Sequence, residues 1–146
     1  MNAAPGLLTS RLENEISPAT LAKQWRNVFE AGKAQNPPIA AITSSAFLYL
    51  AWCARAGSPM FSRTVPGHAA LYCSAAALTI AIVPYTIIAM RKTNNALVER
   101  SNSTSAVTEK NAGEIEQLVR DWISLNGFRS LLPLAGGLVG IFAVLS

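Results

Sequence analysis

The chain has 146 residues, of which 51% are hydrophobic and only 14% are charged, whereas soluble domains carry about 25% charged residues. Its formal net charge is +4, but the Lys and Arg residues are spread along the polar segments and form no basic stripe, so we expect no nucleic-acid binding. The apolar residues occur in blocks separated by polar segments, which is typical of helices that use lipid as a solvent. These properties predict one all-α domain over residues 1–146, an integral membrane helical bundle.

The first predicted element is an amphipathic helix that begins at the Ser17–Pro18 pair. Ser is a favourable N-cap and Pro a favourable first helical residue, and apolar residues then recur at helical spacing. We expect this helix to stop at Gly32, ahead of the Pro37–Pro38 pair. Residues 1–8, which precede it, are apolar but too short to cross a bilayer.

Three uncharged blocks are predicted to span a membrane. They cover residues 39–54, 69–90 and 130–145. The second has the length that a bilayer needs, about 20 residues, and contains Pro84, which should kink it. We therefore expect membrane lipid to surround all three blocks and to be a partner of the chain.

The third block follows directly on a second amphipathic helix, predicted over residues 114–126. Residues 93–113 are polar, and residues 101–105 and 111–113 within them are interpreted as loop. Gly136 and Gly140 have the GxxxG spacing that lets two helix backbones approach closely in lipid. Ten of the 12 Lys and Arg residues lie outside the loop between the first two spans, so the positive-inside rule places the larger polar segments in the cytosol.

Polar residues gather where the last amphipathic helix enters the last apolar block. Trp122, Asn126 and Arg129 are spaced i, i+4, i+7 and share one helical face. Arg129 is either a snorkelling interfacial cation or a cation that meets a negatively charged group of a ligand. Thr93 and Asn94 follow the second span and are either helix C-cap residues or part of the same site.

No metal-ligand spacing, phosphate loop or nucleotide fingerprint occurs in the sequence, and Cys53 and Cys73, in separate apolar blocks, are interpreted as small packing residues, with a disulfide or a metal site as the alternative. We therefore expect no metal site. Several short motifs together resemble the anthrone oxygenase family, small membrane proteins of fungal aromatic polyketide pathways. The motifs are Lys23-Gln24-Trp25-Arg26, Tyr49-Leu50-Ala51-Trp52, Pro84-Tyr85-Thr86, Thr93-Asn94-Asn95-Ala96-Leu97, and Trp122 with Asn126 and Arg129.

The resemblance covers the chain from about residue 7 to its C-terminus. Family members resemble four-helix membrane bundles with an apolar helix ahead of the Lys-Gln-Trp motif. Only residues 1–8 stand in that place here, so we expect most of the first helix to be missing. The resemblance also implies a multi-pass protein of an internal membrane such as the endoplasmic reticulum, and it leaves a homo-oligomer open.

The activity that the resemblance implies is that of a monooxygenase, an oxidoreductase that converts a polyketide anthrone into an anthraquinone with O2 and without a cofactor. Arg129, Asn126 and Asn94 would be the catalytic residues, as hydrogen-bond donors to an oxyanion formed from the substrate. No general base is assigned among His68, Asp121 and Glu30. The residues expected to bind the substrate are Trp25, Tyr85, Thr93 and Trp122.

Three other functions are compatible with the residues. The first is a non-catalytic membrane scaffold or assembly partner of a polyketide pathway, since catalytic motifs are lacking. The second is a small transporter, although ion transport usually needs charges inside the spans. The third is a soluble all-helical domain. The polar residues gathered at one edge of the spans favour the enzyme.

Overall fold

The computed structural model describes residues 18–59, 67–102 and 109–146. Over those residues the chain forms five helices and no strands, which confirms the all-α prediction. Residues 1–8 and Ser17, used in the expectations above, lie outside the described residues. The helices are α1 (Pro18–Cys53), α2 (His68–Ile80), α3 (Ile82–Ile88), α4 (Arg91–Asn102) and α5 (Glu109–Leu145).

The chain divides into two compact units, each discontinuous in sequence. Unit 1 comprises Met1–Gln35 and Thr86–Phe128, and unit 2 comprises Asn36–Tyr85 and Arg129–Ser146. Helices α1 and α5 each contribute their polar half to unit 1 and their apolar half to unit 2. The chain therefore changes unit where its composition changes, and the expectation of one domain over residues 1–146 stays a prediction.

Unit 1 has a core of large side chains. The largest fully buried ones come from α1, the α3–α4 turn, α4 and α5, and each such burial contributes about 1.5–3 kcal/mol. On α5 the buried positions recur at helical spacing, as the predicted amphipathic helix requires. The fully buried large residues are Trp25, Met90, Leu97 and Val119.

Polar contacts at the C-terminal end of α4 also hold unit 1 together. Arg100 forms an ion pair with Glu114 of α5, with Nη2 2.7 Å from each carboxylate oxygen. Arg26 of α1 donates to Ser101 at 3.2 Å and to Asn102. These contacts fix α4 between α1 and α5, although they are exposed enough to add little stability individually.

Unit 2 is built from small residues that let helices approach closely. A Cβ on Gly136 would lie 2.7 Å from Thr79 Oγ1 and 2.9 Å from the Ala75 carbonyl, and one on Gly140 would collide with the Phe47 ring. The close helix approach predicted from the GxxxG spacing is thus confirmed. Ser44 of α1 adds a hydrogen bond of 3.1 Å to the Ala76 carbonyl of α2.

The outer surface of unit 2 carries large apolar side chains. Two stretches, His68–Ile88 and Ala112–Leu145, are long and apolar enough to cross a membrane. The predicted span over residues 39–54 is not among them and stays a prediction. Its outward side chains are nevertheless apolar, with Ile42 71% and Trp52 64% exposed.

The structure corrects the predicted end of the first amphipathic helix. Instead of ending at Gly32, α1 continues through Pro37 and Pro38 to Cys53. A proline removes only its own N–H bond and crowds one carbonyl, and both rings are exposed, so they displace no packed neighbour. Burial of Trp25 before the prolines and Ala40 after them stabilises the helix on both sides of the interruption.

Two further predictions of helix and loop need correction. The loops predicted at residues 101–105 and 111–113 are wrong where the structure describes them, since residues 101 and 102 end α4 (Arg91–Asn102) and residues 111–113 lie in α5, which begins at Glu109. The poor helix formers of α4 are overridden because Leu97 is fully buried. The predicted kink at Pro84 appears as a break at Ala81, between α2 and α3.

A buried polar interior in unit 1

Two tryptophans meet inside unit 1. Trp25 of α1 has no exposed surface, and its ring stacks on Phe29 at 4.9 Å with an interplanar angle of 14°. Trp122 of α5 meets it edge-to-face at 6.0 Å and 87°, a favourable geometry for aromatic rings. The structure thus brings together two of the residues predicted to bind the substrate.

Neither indole N–H finds a hydrogen-bond partner among the described residues. An indole nitrogen only donates, and a buried donor without an acceptor costs about 1–3 kcal/mol. Buried tryptophans therefore usually pair this group. Trp25 and Trp122 present two unsatisfied donors to the interior of unit 1.

Unsatisfied acceptors lie in the same unit. Asn94 of α4 and Asn126 of α5 are 7% and 9% exposed, and their amide oxygens have no partner within the described ranges. The same holds for the Gln24 amide oxygen on α1. We call Gln24, Trp25, Asn94, Trp122 and Asn126 the polar interior.

The positions of Asn94, Trp122 and Asn126 on their helices decide which of them share a helix face. Trp122 and Asn126 are four residues apart on α5 and so share a face, and both are buried. Asn94 lies in the first turn of α4 and donates its backbone N–H to the Met90 carbonyl at 2.9 Å. The C-cap alternative for Asn94 is therefore wrong, because the residue begins a helix instead of ending one.

The polar interior contains no ionised group. Its two unpartnered indole N–H donors are suited to an anionic oxygen, and its three unpartnered amide oxygens are suited to O–H groups. Fixed donors in a dry interior stabilise a developing negative charge more strongly than water-exposed donors do. In their chemistry, such groups match a hydroxylated ligand that becomes an anion.

The remaining predicted site residues divide between the two units. Thr93 is partly buried in unit 1, beside Asn94 in sequence. Arg129 and Tyr85 belong to unit 2, where both are partly buried. The unit 1 set thus comprises Asn94, Asn126, Trp25, Trp122 and Thr93.

The residues considered as a general base have other surroundings. His68 is buried at the start of α2 in unit 2, and its Nε2 lies 3.2 Å from Ser146 Oγ. Asp121 is exposed and accepts a 2.8 Å hydrogen bond from Gln117. Glu30 is also exposed. None of the three is a member of the polar interior.

Sequence reasoning quoted Gln24 in a motif but did not select it as a site residue. The available signal was its place directly before Trp25 in the Lys23-Gln24-Trp25-Arg26 motif. Within the part of the chain that the structure describes, no three His, Cys, Asp or Glu residues are grouped to hold a metal ion.

Together these features define a helical protein with apolar, membrane-type segments and a buried, uncharged hydrogen-bonding interior. The profile of the anthrone oxygenase family matches residues 25–139, a range that includes four of the five polar-interior residues. The chain belongs to the anthrone oxygenase family, and it is an oxidoreductase of the monooxygenase type.

Several named proteins are similar over most of the chain. The anthrone oxygenase encC of Aspergillus fumigatus is 40% identical, over 98% of this chain and 80% of its own length. A noranthrone monooxygenase of Aspergillus flavus is 33% identical, over 91% of this chain and 60% of its own length. An anthrone oxygenase of Claviceps purpurea is 30% identical, over 96% of this chain and 76% of its own length. No solved structure matches the chain.

Proposed function

We propose that the chain oxidises an aromatic polyketide anthrone to the anthraquinone, with one O2 consumed and one water released for each quinone. The observation that carries this proposal is the polar interior of unit 1, whose donors and acceptors complement a phenolic compound that ionises. Membership of the anthrone oxygenase family and the names of the relatives support the choice of substrate.

The reaction balances without a further oxidant. Loss of a proton from the anthrone methylene carbon gives an aromatic, phenolate-like anion. This anion passes one electron to O2, and the resulting radical and superoxide combine to form a C–O bond. Protonation gives a hydroperoxide, and loss of the second C–H proton breaks the O–O bond, expels hydroxide and leaves the new carbonyl.

The protein would assist chiefly by stabilising the anion. Hydrogen bonds to a charged group contribute about 1.5–3 kcal/mol each, and 1.36 kcal/mol changes a pKa by one unit. If the indole N–H groups of Trp25 and Trp122 both donate to the anionic oxygen, they lower the pKa of the substrate by roughly two to four units. More of the bound substrate is then in the form that reduces O2.

The asparagines would hold the neutral part of the substrate. The amide oxygens of Asn94 and Asn126 can accept from phenolic O–H groups, and their NH2 groups can donate to the oxyanion. The roles of Thr93 and Tyr85 in substrate binding, and of Arg129 as a cationic donor, are carried forward from the sequence as part of this proposal.

A membrane location is also proposed, with three spans and a multi-pass arrangement. The α1 segment over residues 39–54 would be the third span, supported by the exposed apolar side chains of Ile39, Ile42 and Leu48. Such a surface is costly in water and favourable in lipid. A flat, greasy substrate would partition into the same internal membrane, which we expect to be the endoplasmic reticulum.

The test is an assay of purified protein in detergent with a dihydroxyanthrone in air-saturated buffer. We expect quinone to form faster than the spontaneous oxidation, with equal amounts of O2 consumed and quinone produced. Heat-inactivated protein is the control, and a parallel reaction with a metal chelator tests whether the activity needs a metal ion. Quinone formation at only the spontaneous rate would reject the function.

A further inference from the structure

Gln24 differs from the other members of the polar interior in how far its side chain is enclosed. Asn94, Asn126 and the two tryptophans are buried, whereas Gln24 is only half-buried. Its amide oxygen nevertheless has almost no accessible surface and no hydrogen-bond partner among the described residues. Gln24 therefore lies at the edge of unit 1, and the carbonyl group at the end of its side chain is enclosed.

The two flanks of α1 beside Trp25 have different surroundings. Gln24 and Arg26 are two residues apart, so they stand roughly 200° apart around the helix, on either side of the buried Trp25. The Arg26 flank is bound to α4, because the guanidinium donates to Ser101 and Asn102. On the opposite flank, the Gln24 oxygen has no donor in the described part of the chain.

An enclosed carbonyl oxygen without a donor destabilises the fold, because folding removes its hydrogen bonds to water and replaces none of them. Native proteins keep few such groups, so each one calls for a partner. The next residue, Trp25, also has an unpartnered group, its indole N–H. A tricyclic ligand that accepts from this N–H extends well beyond one residue of α1, at a rise of about 1.5 Å per residue, and so comes within reach of Gln24.

We propose that Gln24 is a specificity-determining residue, whose amide oxygen accepts a hydrogen bond from a phenolic hydroxyl of the bound anthrone. The proposal rests on the proposed function and adds a group that the preferred substrate must carry. In an anthrone the ketone oxygen only accepts, so the ring hydroxyls are the strong donors that can pair with the Gln24 carbonyl. A substrate without this hydroxyl leaves a buried oxygen unpaired and binds less well.

The position of the hydroxyl on the ring decides whether it can donate. A hydroxyl in the peri position, next to the ketone, donates to that ketone within the same molecule. Its hydrogen is then not available to Gln24. A hydroxyl on a ring carbon remote from the ketone is free to donate, so Gln24 should favour ligands that carry a hydroxyl there.

Water is the alternative partner of the Gln24 oxygen. A bound water molecule would satisfy the same acceptor and would make Gln24 a structural residue that does not distinguish substrates. A cationic ligand is disfavoured, because the polar interior holds no ionised group that could balance its charge. Only the phenolic contact makes affinity depend on the position of the ligand hydroxyl.

The test compares the two isomers of monohydroxyanthraquinone, one with a peri hydroxyl and one with a remote hydroxyl. Each is titrated into the purified full chain in detergent, at a pH where both phenols are neutral, and the change in quinone absorption reports binding. We expect the wild type to prefer the remote isomer. Gln24→Met keeps the length of the side chain and removes the oxygen, and we expect it to lower this preference threefold to tenfold.

Gln117→Met is the matched control. Gln117 also lies in unit 1, but it is exposed and donates to Asp121 at 2.8 Å, so the isomer preference should stay within twofold of the wild type. The preference is a ratio of two affinities measured on one preparation, so a smaller folded fraction does not change it. Because Gln24→Met removes an unpartnered buried oxygen, its thermal midpoint should not fall.

Three results would overturn the inference. The first is an unchanged isomer preference in Gln24→Met, which together with a lowered thermal midpoint would show a water-bonded, structural Gln24. The second is equal affinity of the wild type for both isomers, and the third is binding of neither.

Failure of the inference and failure of the proposed function are distinguishable, because the titrations involve no turnover. A chain that shows the expected preferences but does not accelerate anthrone oxidation rejects the proposed function alone. A chain that oxidises anthrone while Gln24→Met keeps the wild-type preference rejects this inference alone.

Discussion

Replacing Trp122 with Phe separates the stability of the polar interior from its chemistry. The variant keeps an aromatic ring against Trp25 and removes the unpartnered indole N–H. The smaller ring buries roughly 40 Å² less apolar surface, a loss of about 1 kcal/mol. Removal of a buried, unpartnered donor returns about 1–3 kcal/mol. Because these terms oppose each other, we expect the thermal midpoint in detergent to change little.

Activity should respond differently. If the Trp122 N–H donates to the substrate anion, its loss removes about 1.5–3 kcal/mol of stabilisation, which corresponds to a fall in kcat/KM of roughly 10- to 150-fold. The measurement is anthrone-dependent O2 uptake by the purified variant, once its thermal midpoint has been shown to be close to that of the wild type.

Trp52→Phe is the matched control for this variant. Trp52 lies in unit 2, is 64% exposed and packs its ring against Arg55, so the same change should leave O2 uptake within twofold. A Trp122→Phe protein that folds normally and retains wild-type kcat/KM would refute the role of the indole. A variant whose thermal midpoint drops by many degrees would show that Trp122 is a packing residue only.

Three other substitutions test separate parts of the account. Gly136→Ala should lower the free energy of unfolding by about 1–3 kcal/mol through overpacking, whereas Gly137→Ala should not. Thermal melts in detergent compare the two variants, and equal midpoints would contradict the close helix approach. Asn126→Leu should preserve or raise the thermal midpoint, since it removes a buried unpartnered oxygen, while raising KM for a hydroxylated anthrone; an unchanged KM would remove Asn126 from substrate binding. Arg129→Ala should reduce O2 uptake at least tenfold, with partial recovery in Arg129→Lys, and unchanged turnover in a folded variant would remove Arg129 from the mechanism.

The apolar blocks could be predicted from the sequence because their signal is local. Hydropathy alone identified the segments later seen in α2, α3 and the second half of α5. The spacing of Gly136 and Gly140 predicted a close helix approach, which the contacts with Thr79 and Phe47 confirm. Each of these inferences needs only the residue types and their spacing along one helix.

The helix through Pro37 and Pro38 could not be predicted in the same way. Propensity rules weigh the lost hydrogen bonds of each proline, but they do not include the tertiary burial of Trp25 and Ala40 on either side. The α4 helix was missed for the same reason, since its Thr and Asn residues favour loops until Leu97 is buried.

The site was partly predictable. The motifs pointed to Trp25, Asn94, Trp122 and Asn126, and the structure shows all four buried in one unit. That their indole and amide groups lack partners depends on what surrounds them in space, which no sequence period encodes. Gln24 was overlooked because an amide beside a charged residue on an amphipathic helix ordinarily faces water.

The central claim is that this chain inserts oxygen from O2 into a bound anthrone. The most direct measurement is the mass of the quinone formed under 18O2 in ordinary water, with the spontaneous reaction subtracted. The account predicts protein-dependent quinone that carries one 18O atom. Protein-dependent quinone without the label, or labelled quinone at only the spontaneous rate, would contradict it.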